Sequence, residues 1–350
     1  MQTRIVLFGG CGTVGQRTRD AIHVQKDMAV HAIVTRSAKE NVLTPYEMGI
    51  PIYTVEPKEI PKFEKLGIAA KPLEDLLAAP DAFDLVIDCS PDGQGMKNKT
   101  LYYAPLGIKA ILEGGEDGAG VDVSFNALAN YDDAKGKAYV RVVSCNTTGA
   151  TRMLKALSPL GIVFASGELD RRGNDPHQDG KLPSGAEETT KHGTHHAEDI
   201  GTVLYALKGK IATSAKKSDK QEFHSHTWQI ALVEAVTKED VLEALAKTPR
   251  ILPLSDRYLF TDTKKIKFWS AERRLRGDLY ETLIWPKEYL HIVDEEGRIV
   301  EKGRNVRLKL LVDQQSITVP ENIDAVRAML GLASAEDSIQ MTNHTLGIKH

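Results

Sequence analysis

The segment Gly10-Cys11-Gly12-Thr13-Val14-Gly15 constrains the fold of this chain more than any other. It follows directly on the apolar run Ile5-Val6-Leu7-Phe8 and opens a helical pattern over residues 13–26. In G-x-G-x-x-G at a strand–helix junction, the first glycine turns the chain and the second admits a pyrophosphate. The third lets helix and strand pack closely, while the helix amides face the phosphates. Without a ligand the same spacing makes only a tight turn. Its place near residue 10 of an alternating chain points to a nicotinamide dinucleotide held by Gly10, Gly12 and Gly15.

Strand-like runs at residues 5–8, 30–34, 85–87, 108–112 and 140–143 alternate with helical ones at 13–26, 73–79 and 96–106, the order of parallel βαβ units. From Ile162 onward longer, more alternating strands are expected at 162–166, 222–233, 282–285, 289–293 and 306–313, as in an antiparallel or mixed sheet. Thr237-Lys238-Glu239-Asp240 has the look of a capping box before a helix, and Pro320-Glu321-Asn322 opens a last one. The fold class is therefore α/β: a Rossmann-type parallel-sheet nucleotide-binding domain plus an α+β catalytic domain with a mostly antiparallel sheet. The domains are expected at 1–144 and 145–315, with a C-terminal helix at 320–345 packing back on the first. A polar stretch from Arg172 to Thr194 reads as one long surface loop.

The 350 residues suit two domains, and 45 basic against 48 acidic residues leave a net charge of -3. That balance excludes a global field for nucleic acid or an anionic membrane, so phosphate must be bound locally. No apolar run is long enough for a membrane span, and the N-terminus enters a strand without a signal peptide, so a cytoplasmic location is expected.

An NAD enzyme would place a carboxylate at the end of the second strand, where this chain has Thr35-Arg36-Ser37. Arg36 suits the 2′-phosphate of NADP, and use of NAD as well stays open. Three widely spaced cysteines suit neither a disulfide framework nor a zinc ribbon. Cys145 lies where the run Val140–Val143 meets a helix expected to begin near Thr148, beside the positive end of its dipole, which favours a thiolate. Cys11 and Cys89 read as small apolar fillers. Of 11 histidines, five fall together: His192, His195, His196, His224 and His226. His224 and His226 share one face of a strand, and either can serve as the base; the alternation does not choose between them. Arg171 and Arg172 with His195 and His196 can clamp an oxyanion or phosphate. No Cys pair or H-E-x-x-H accompanies them, so no metal is expected.

Taken in order, these motifs resemble the type II (archaeal-type) phosphorylating glyceraldehyde-3-phosphate dehydrogenases over nearly the full length. The resemblance is carried by the glycine loop, Gly93-Gln94-Gly95-Met96-Lys97-Asn98-Lys99, Glu113-Gly114-Gly115-Glu116 and Ser144-Cys145-Asn146-Thr147-Thr148-Gly149. It continues through Arg171-Arg172, Thr194-His195-His196, His224-Ser225-His226, Gln314-Gln315-Ser316 and Pro320–Ala325. The resemblance implies that Cys145 is the nucleophile, with Ser144 and Asn146 bordering the substrate. Thr13, Val14 and Gly115 would contact the dinucleotide and Gln314 its nicotinamide side, while His195, His196 and Arg172 would bind substrate or inorganic phosphate. It implies a homotetramer of glycolysis or gluconeogenesis that takes a phosphorylated aldehyde. The chain departs from the family pattern in having Gly9, where asparagine commonly stands, and in its polar 172–191 segment. Rival readings are another thiol-dependent semialdehyde or acyl-phosphate dehydrogenase, a Rossmann imine reductase using paired histidines, and a non-catalytic NADP-binding sensor.

Overall fold

The computed structural model describes residues 2–113, 115–173, 185–219, 222–254, 257, 260–285 and 289–348. The chain divides into two compact units, one of Met1–Ala127, Tyr131–Ser144 and Val319–Gly347, the other of Leu128–Asn130, Cys145–Thr318 and Ile348–His350.

The first unit holds β1 (Thr3–Phe8), β2 (Met28–Thr35), β3 (Ile52–Thr54), β4 (Lys71–Pro72), β5 (Leu85–Asp88), β6 (Ala110–Leu112), β7 (Val123–Phe125) and β8 (Tyr139–Val142). They form one sheet in the order β4-β3-β2-β1-β5-β6-β8-β7, and every pair in it is parallel. A Rossmann-type fold is the result, as the alternation of apolar runs and helices predicts. The strand order reverses between β1 and β5, and the fingerprint loop leaves β1 at that switch point, where such sheets take their ligands. Val6, Ile33, Val86 and Ile111 are fully buried, as strands covered on both faces require.

Helices in chain order are α1 (Thr13–His23), α2 (Leu43–Glu47), α3 (Ile60–Lys65), α4 (Leu73–Leu77), α5 (Gln94–Asn98), α6 (Ala127–Asn130), α7 (Cys145–Leu157), α8 (His195–Gly201), α9 (Lys238–Ala246), α10 (Thr263–Ala271), α11 (Val319–Leu330) and α12 (Ala335–Thr345). The terminal stretch expected as a single helix is two, α11 and α12, interrupted at Gly331 and restarted by the Ser334 cap. Both belong to the first unit, and α11 packs on α1. Their anchor is Arg327, which is 1% exposed and reaches Asp27 at 2.8 and 2.9 Å, Gln25 Oε1 at 2.8 Å and Thr342 Oγ1 at 2.8 Å. The guanidinium holds the Asp27 carboxyl below its ordinary range. Arg327→Ala leaves these acceptors facing a void, so unfolding free energy is expected to drop by about 3 kcal/mol in urea denaturation. A loss below about 1 kcal/mol would show the network to be dispensable.

The second unit contains β9 (Ile162–Arg172), β10 (Gly185–Glu187), β11 (Ile211–Ser218), β12 (His224–Thr237), β13 (Ile251–Pro253), β14 (Thr282–Ile284), β15 (His291–Val293) and β16 (Lys302–Val312). Their order is β10-β11-β9-β12-β16-β14-β13, with β15 also on β16. Among the described strands only β11–β9 and β13–β14 run parallel, so the sheet is mixed and mostly antiparallel. The expected loop from Arg172 to Thr194 is corrected at both ends. Arg172 closes β9, Gly185–Glu187 pairs with β11, and Thr190 bridges Gly193. The ladder is made by backbone groups, so polar side chains such as Glu168 and Asp170 can occupy it. The middle of that expected loop, 174–184, lies outside the described residues.

On β12 the residues His224, His226, Trp228 and Ile230 are buried, while Thr227 and Gln229 are exposed. This inner face carries α7, whose Met153, Leu154 and Leu157 join a core with Leu169, Trp228, Ile230 and Leu310. Each such burial contributes about 1.5–3 kcal/mol, far more than helix propensity, so packing decides where α7 begins. The capping box on α9 is present as read, Thr237 and Asp240 bonding reciprocally.

Candidate active site

In the first unit the fingerprint loop is locked by short backbone bonds, Gly12 N to Gly9 O at 2.8 Å and Gly9 N to Val34 O at 2.9 Å. Gly9 has φ +66, and a Cβ there would lie 2.7 Å from Cys89 O, which is why glycine stands at this position. A Cβ on Gly15 would lie 2.2 Å from Gly9 O. Gly12 caps α1 with no side-chain bond of its own, as suits a helix start that receives an anion. Gly10, Thr13 and Val14 complete the loop, whose shape fits a pyrophosphate. Two braces were not legible in sequence: Gln16 Nε2 and Asn41 Nδ2 both donate to Cys11 O, at 2.9 and 2.8 Å. Asn41 is thirty residues away and gives no local signal.

Arg36 is exposed just beyond the end of β2. Gly115 has φ +83 in open space; its neighbour Gly114 lies outside the described residues. Two motifs of the resemblance meet here, because Glu116 Oε1 accepts from Gly95 N at 2.7 Å at the start of α5. Burial raises the Glu116 carboxyl.

Ser144 ends the first unit and Cys145 begins the second, both half-buried. Helix α7 starts at Cys145 itself, not near Thr148 as expected. Cysteine, asparagine and threonine are weak helix formers, but packing of the following turns extends the helix to include them. The thiol therefore sits in the first turn of a 13-residue helix, where the dipole favours its anion. The other two cysteines differ: burial pushes the Cys11 thiol up to about 11, and burial with Glu113 and Asp88 nearby pushes Cys89 well above the ordinary thiol range.

Two of the histidines meet this helix start. His226, fully buried, has Nε2 2.8 Å from Asn146 Oδ1, the residue after the thiol. His196 Nδ1 lies 3.5 Å from Thr147 Oγ1. Thr147 was missed in sequence, although its position in the first turn of α7 could have signalled it. His224 is turned to the strand end, where its Nδ1 accepts from Arg172 N at 3.0 Å. His195 is exposed and lies against His196 with ring centroids 4.0 Å apart and the planes tilted by 48°. The pair is seated by Thr194, whose N donates to Thr213 O at 3.0 Å and whose hydroxyl meets Thr213 Oγ1 at 2.8 Å. Gly193 allows this, since a Cβ there would lie 1.7 Å from Thr213 O. Gln314 is buried, and its Oε1 accepts from Phe223 N at 3.1 Å. Among the described residues no three His, Cys, Asp or Glu side chains are arranged to hold a metal.

Burial drives the His196 and His224 rings well below their ordinary value, and neighbouring basic side chains add to it: His195, Arg171 and His226 at His196; His226, Arg172, Arg171 and His196 at His224. Both rings are neutral at neutral pH. In the unfolded chain each returns to about 6.5, so below that value the unfolded state binds more protons than the folded one. Their stabilising contribution is complete above the unfolded value and is lost as pH falls. The urea midpoint is expected to fall between about pH 7.5 and pH 5, and to fall less in His224→Gln. An equal fall in both proteins would remove His224 from this account.

A parallel dinucleotide-type sheet, and a helix-start cysteine whose next two residues meet buried histidines, mark a nicotinamide-dependent oxidoreductase. The glyceraldehyde 3-phosphate dehydrogenase C-terminal domain model matches residues 144–282. The chain is 42% identical over 349 residues to the glyceraldehyde-3-phosphate dehydrogenase of Archaeoglobus fulgidus, covering 98% of this chain and 97% of that protein. It is 38% identical to that of Metallosphaera sedula over 98% of this chain and 97% of the relative, and 37% identical to that of Methanobacterium bryantii over 97% and 98%. The chain belongs to the archaeal-type glyceraldehyde-3-phosphate dehydrogenase family.

Proposed function

We propose that the chain converts D-glyceraldehyde 3-phosphate, inorganic phosphate and NAD(P)+ to 1,3-bisphosphoglycerate and NAD(P)H, in glycolysis or gluconeogenesis, through a thioester on Cys145. The observation that carries this reading is the 2.8 Å contact of His226 with Asn146, which brings a buried imidazole to the residue adjoining a helix-start thiol. Cys145 Sγ, whose anion the α7 dipole favours, bonds to the aldehyde carbon as the carbonyl pair moves to oxygen. His226 takes the thiol proton, returns it to the aldehyde oxygen as the hemithioacetal forms, and takes it again from that hydroxyl as hydride leaves the carbon, while Asn146 orients its ring. Bound dinucleotide supplies the hydride acceptor. Oxidation leaves the acyl group on sulfur; a phosphate oxygen then bonds to the acyl carbon and the thiolate departs. Arg171, Arg172, His195 and His196 bind the phosphate groups, and the two guanidiniums favour a phosphorylated aldehyde over a semialdehyde without phosphate.

In this reading residues 1–144, with the return at 320–345, hold the dinucleotide through Gly10, Gly12, Thr13, Val14, Gly15 and Gly115, and Gln314 of the catalytic domain reaches its nicotinamide side. Residues 145–315 hold the chemistry, with Ser144 and Asn146 bordering the substrate. Arg36 selects NADP by pairing with its 2′-phosphate. The proposed assembly is a cytoplasmic homotetramer. Exposed Val163, Phe164 and Val233 on the second sheet suit burial against another copy. Among the described residues no helix is long and apolar enough to cross a membrane.

Initial rates with each dinucleotide, with and without inorganic phosphate, test the whole reading. Arg36→Ala is expected to raise KM for NADP about tenfold and to leave that for NAD within about twofold. Equal effects on both dinucleotides overturn the NADP assignment, and undiminished turnover without phosphate overturns the phosphorylating step.

A further inference from the structure

We propose that Gln314 is a positioning residue for the reaction: its carboxamide oxygen holds Phe223 in a left-handed turn and so sets where the histidine-bearing strand β12 begins. The inference rests on the reading of His226 as base, and goes beyond the nucleotide contact that the resemblance implies for Gln314.

Phe223 has φ 63 and is 1% exposed. A bulky residue adopts that conformation only when its surroundings impose it. Two restraints are visible. Its ring is fixed in a cluster with Leu254, Ile266, Leu279 and Leu283, and its N–H donates to Gln314 Oε1 at 3.1 Å. The backbone ladder between β12 and β16 ends at the pair His224–Val312, so Gln314 supplies the next acceptor from a side chain. On the other edge the β12–β9 ladder ends at Ser225–Asp170, and there His224 Nδ1 takes the N–H of Arg172. Side-chain acceptors thus carry both ladders one step past their ends. Arg172, Phe223 and the two histidines are placed by the same arrangement.

Gln314 is itself braced by its neighbour. Asp313 Oδ2 accepts from Lys267 Nζ at 2.9 Å and from Leu279 N at 3.1 Å, and Oδ1 accepts from Gln315 N at 3.2 Å. The Asp313 carbonyl takes Ser316 N at 3.2 Å and Ile317 N at 3.0 Å, closing a tight turn around Gln314. With its acceptor gone, the buried Phe223 N–H is left unmatched and the peptide has reason to rotate toward the extended region. His224 and His226 would then shift against α7.

The test compares Gln314→Leu, which removes the acceptor, with Gln314→Glu, which keeps an oxygen in the same place. Amide exchange over residues 222–226 and the pH profile of Cys145 alkylation by iodoacetamide are followed in the full chain. The elevated thiols of Cys11 and Cys89 leave Cys145 as the fast-reacting one near neutral pH. In Gln314→Leu, exchange is expected to speed up about tenfold or more, the alkylation midpoint to move, and kcat to fall about tenfold. Gln314→Glu is expected to retain the native values of exchange and midpoint. A native midpoint and native exchange in Gln314→Leu overturn the proposal, even if dinucleotide affinity drops. If Gln314→Leu does not fold, loss of protection at Phe223 in Gln314→Glu overturns it. His226→Asn separates the two claims. A profile unmoved in that variant defeats the base assignment, whereas one moved by His226→Asn but not by Gln314→Leu defeats the Gln314 inference alone.

Discussion

Cys145→Ser is expected to lower phosphate-dependent NADPH formation by about a thousandfold or more, the largest loss from any single substitution in this chain. The hydroxyl is roughly isosteric, but its proton is held too tightly for the α7 dipole to release it. The variant should fold and bind dinucleotide normally, since the fingerprint loop and its braces lie wholly in the first unit. Steady-state rates and a dinucleotide titration on the same preparation check both halves of the expectation. Full activity in the serine variant would defeat the thioester route. The same residue decides against a cofactor sensor: in native protein, iodoacetamide should modify Cys145 stoichiometrically near neutral pH. Cys11, held up at about 11, and Cys89, higher than its ordinary value, should stay unlabelled.

What could be read in the residues was whatever repeats along the chain or follows from local stereochemistry. Apolar runs between helical stretches announced the parallel sheet because its strands are buried on both faces. The glycine loop announced its own turn, and Thr237 with Asp240 its own cap. The end of β9 was hidden because Glu168, Asp170 and Arg171 look like loop residues, while their backbone groups pair with β11 and β12. The start of α7 was misplaced by three residues for a related reason: Met153 and Leu154, deep in the core, decide the fate of Cys145 and Asn146. A period of two could put His224 and His226 on one face but could not separate them. Their difference comes from Asn146 and Arg172, which are distant in sequence. Phe223 is the extreme case, because nothing in a phenylalanine announces a left-handed backbone.

His226→Asn is expected to lower kcat by about two to three orders of magnitude, and His224→Asn by no more than about tenfold. Both imidazoles are buried on the inner face of β12, so exposure does not rank them. Their partners do. The Nδ1 of His224 accepts the N–H of Arg172, and burial with the cations around it drives that ring well below its ordinary value, which makes it a poor proton acceptor near neutral pH. His226 instead meets Asn146, one residue from the sulfur. If His226 is the base, kcat/KM in native enzyme falls on the acid side as its ring takes up a proton. In His226→Asn that limb should be replaced by a rate that climbs with hydroxide over the same range. His224→Asn should keep the native limb, with its smaller loss traced to a displaced Arg172 and hence to KM for the phosphorylated aldehyde. A larger kcat loss in His224→Asn than in His226→Asn would reverse the assignment and return the choice of base to the residue at the strand end.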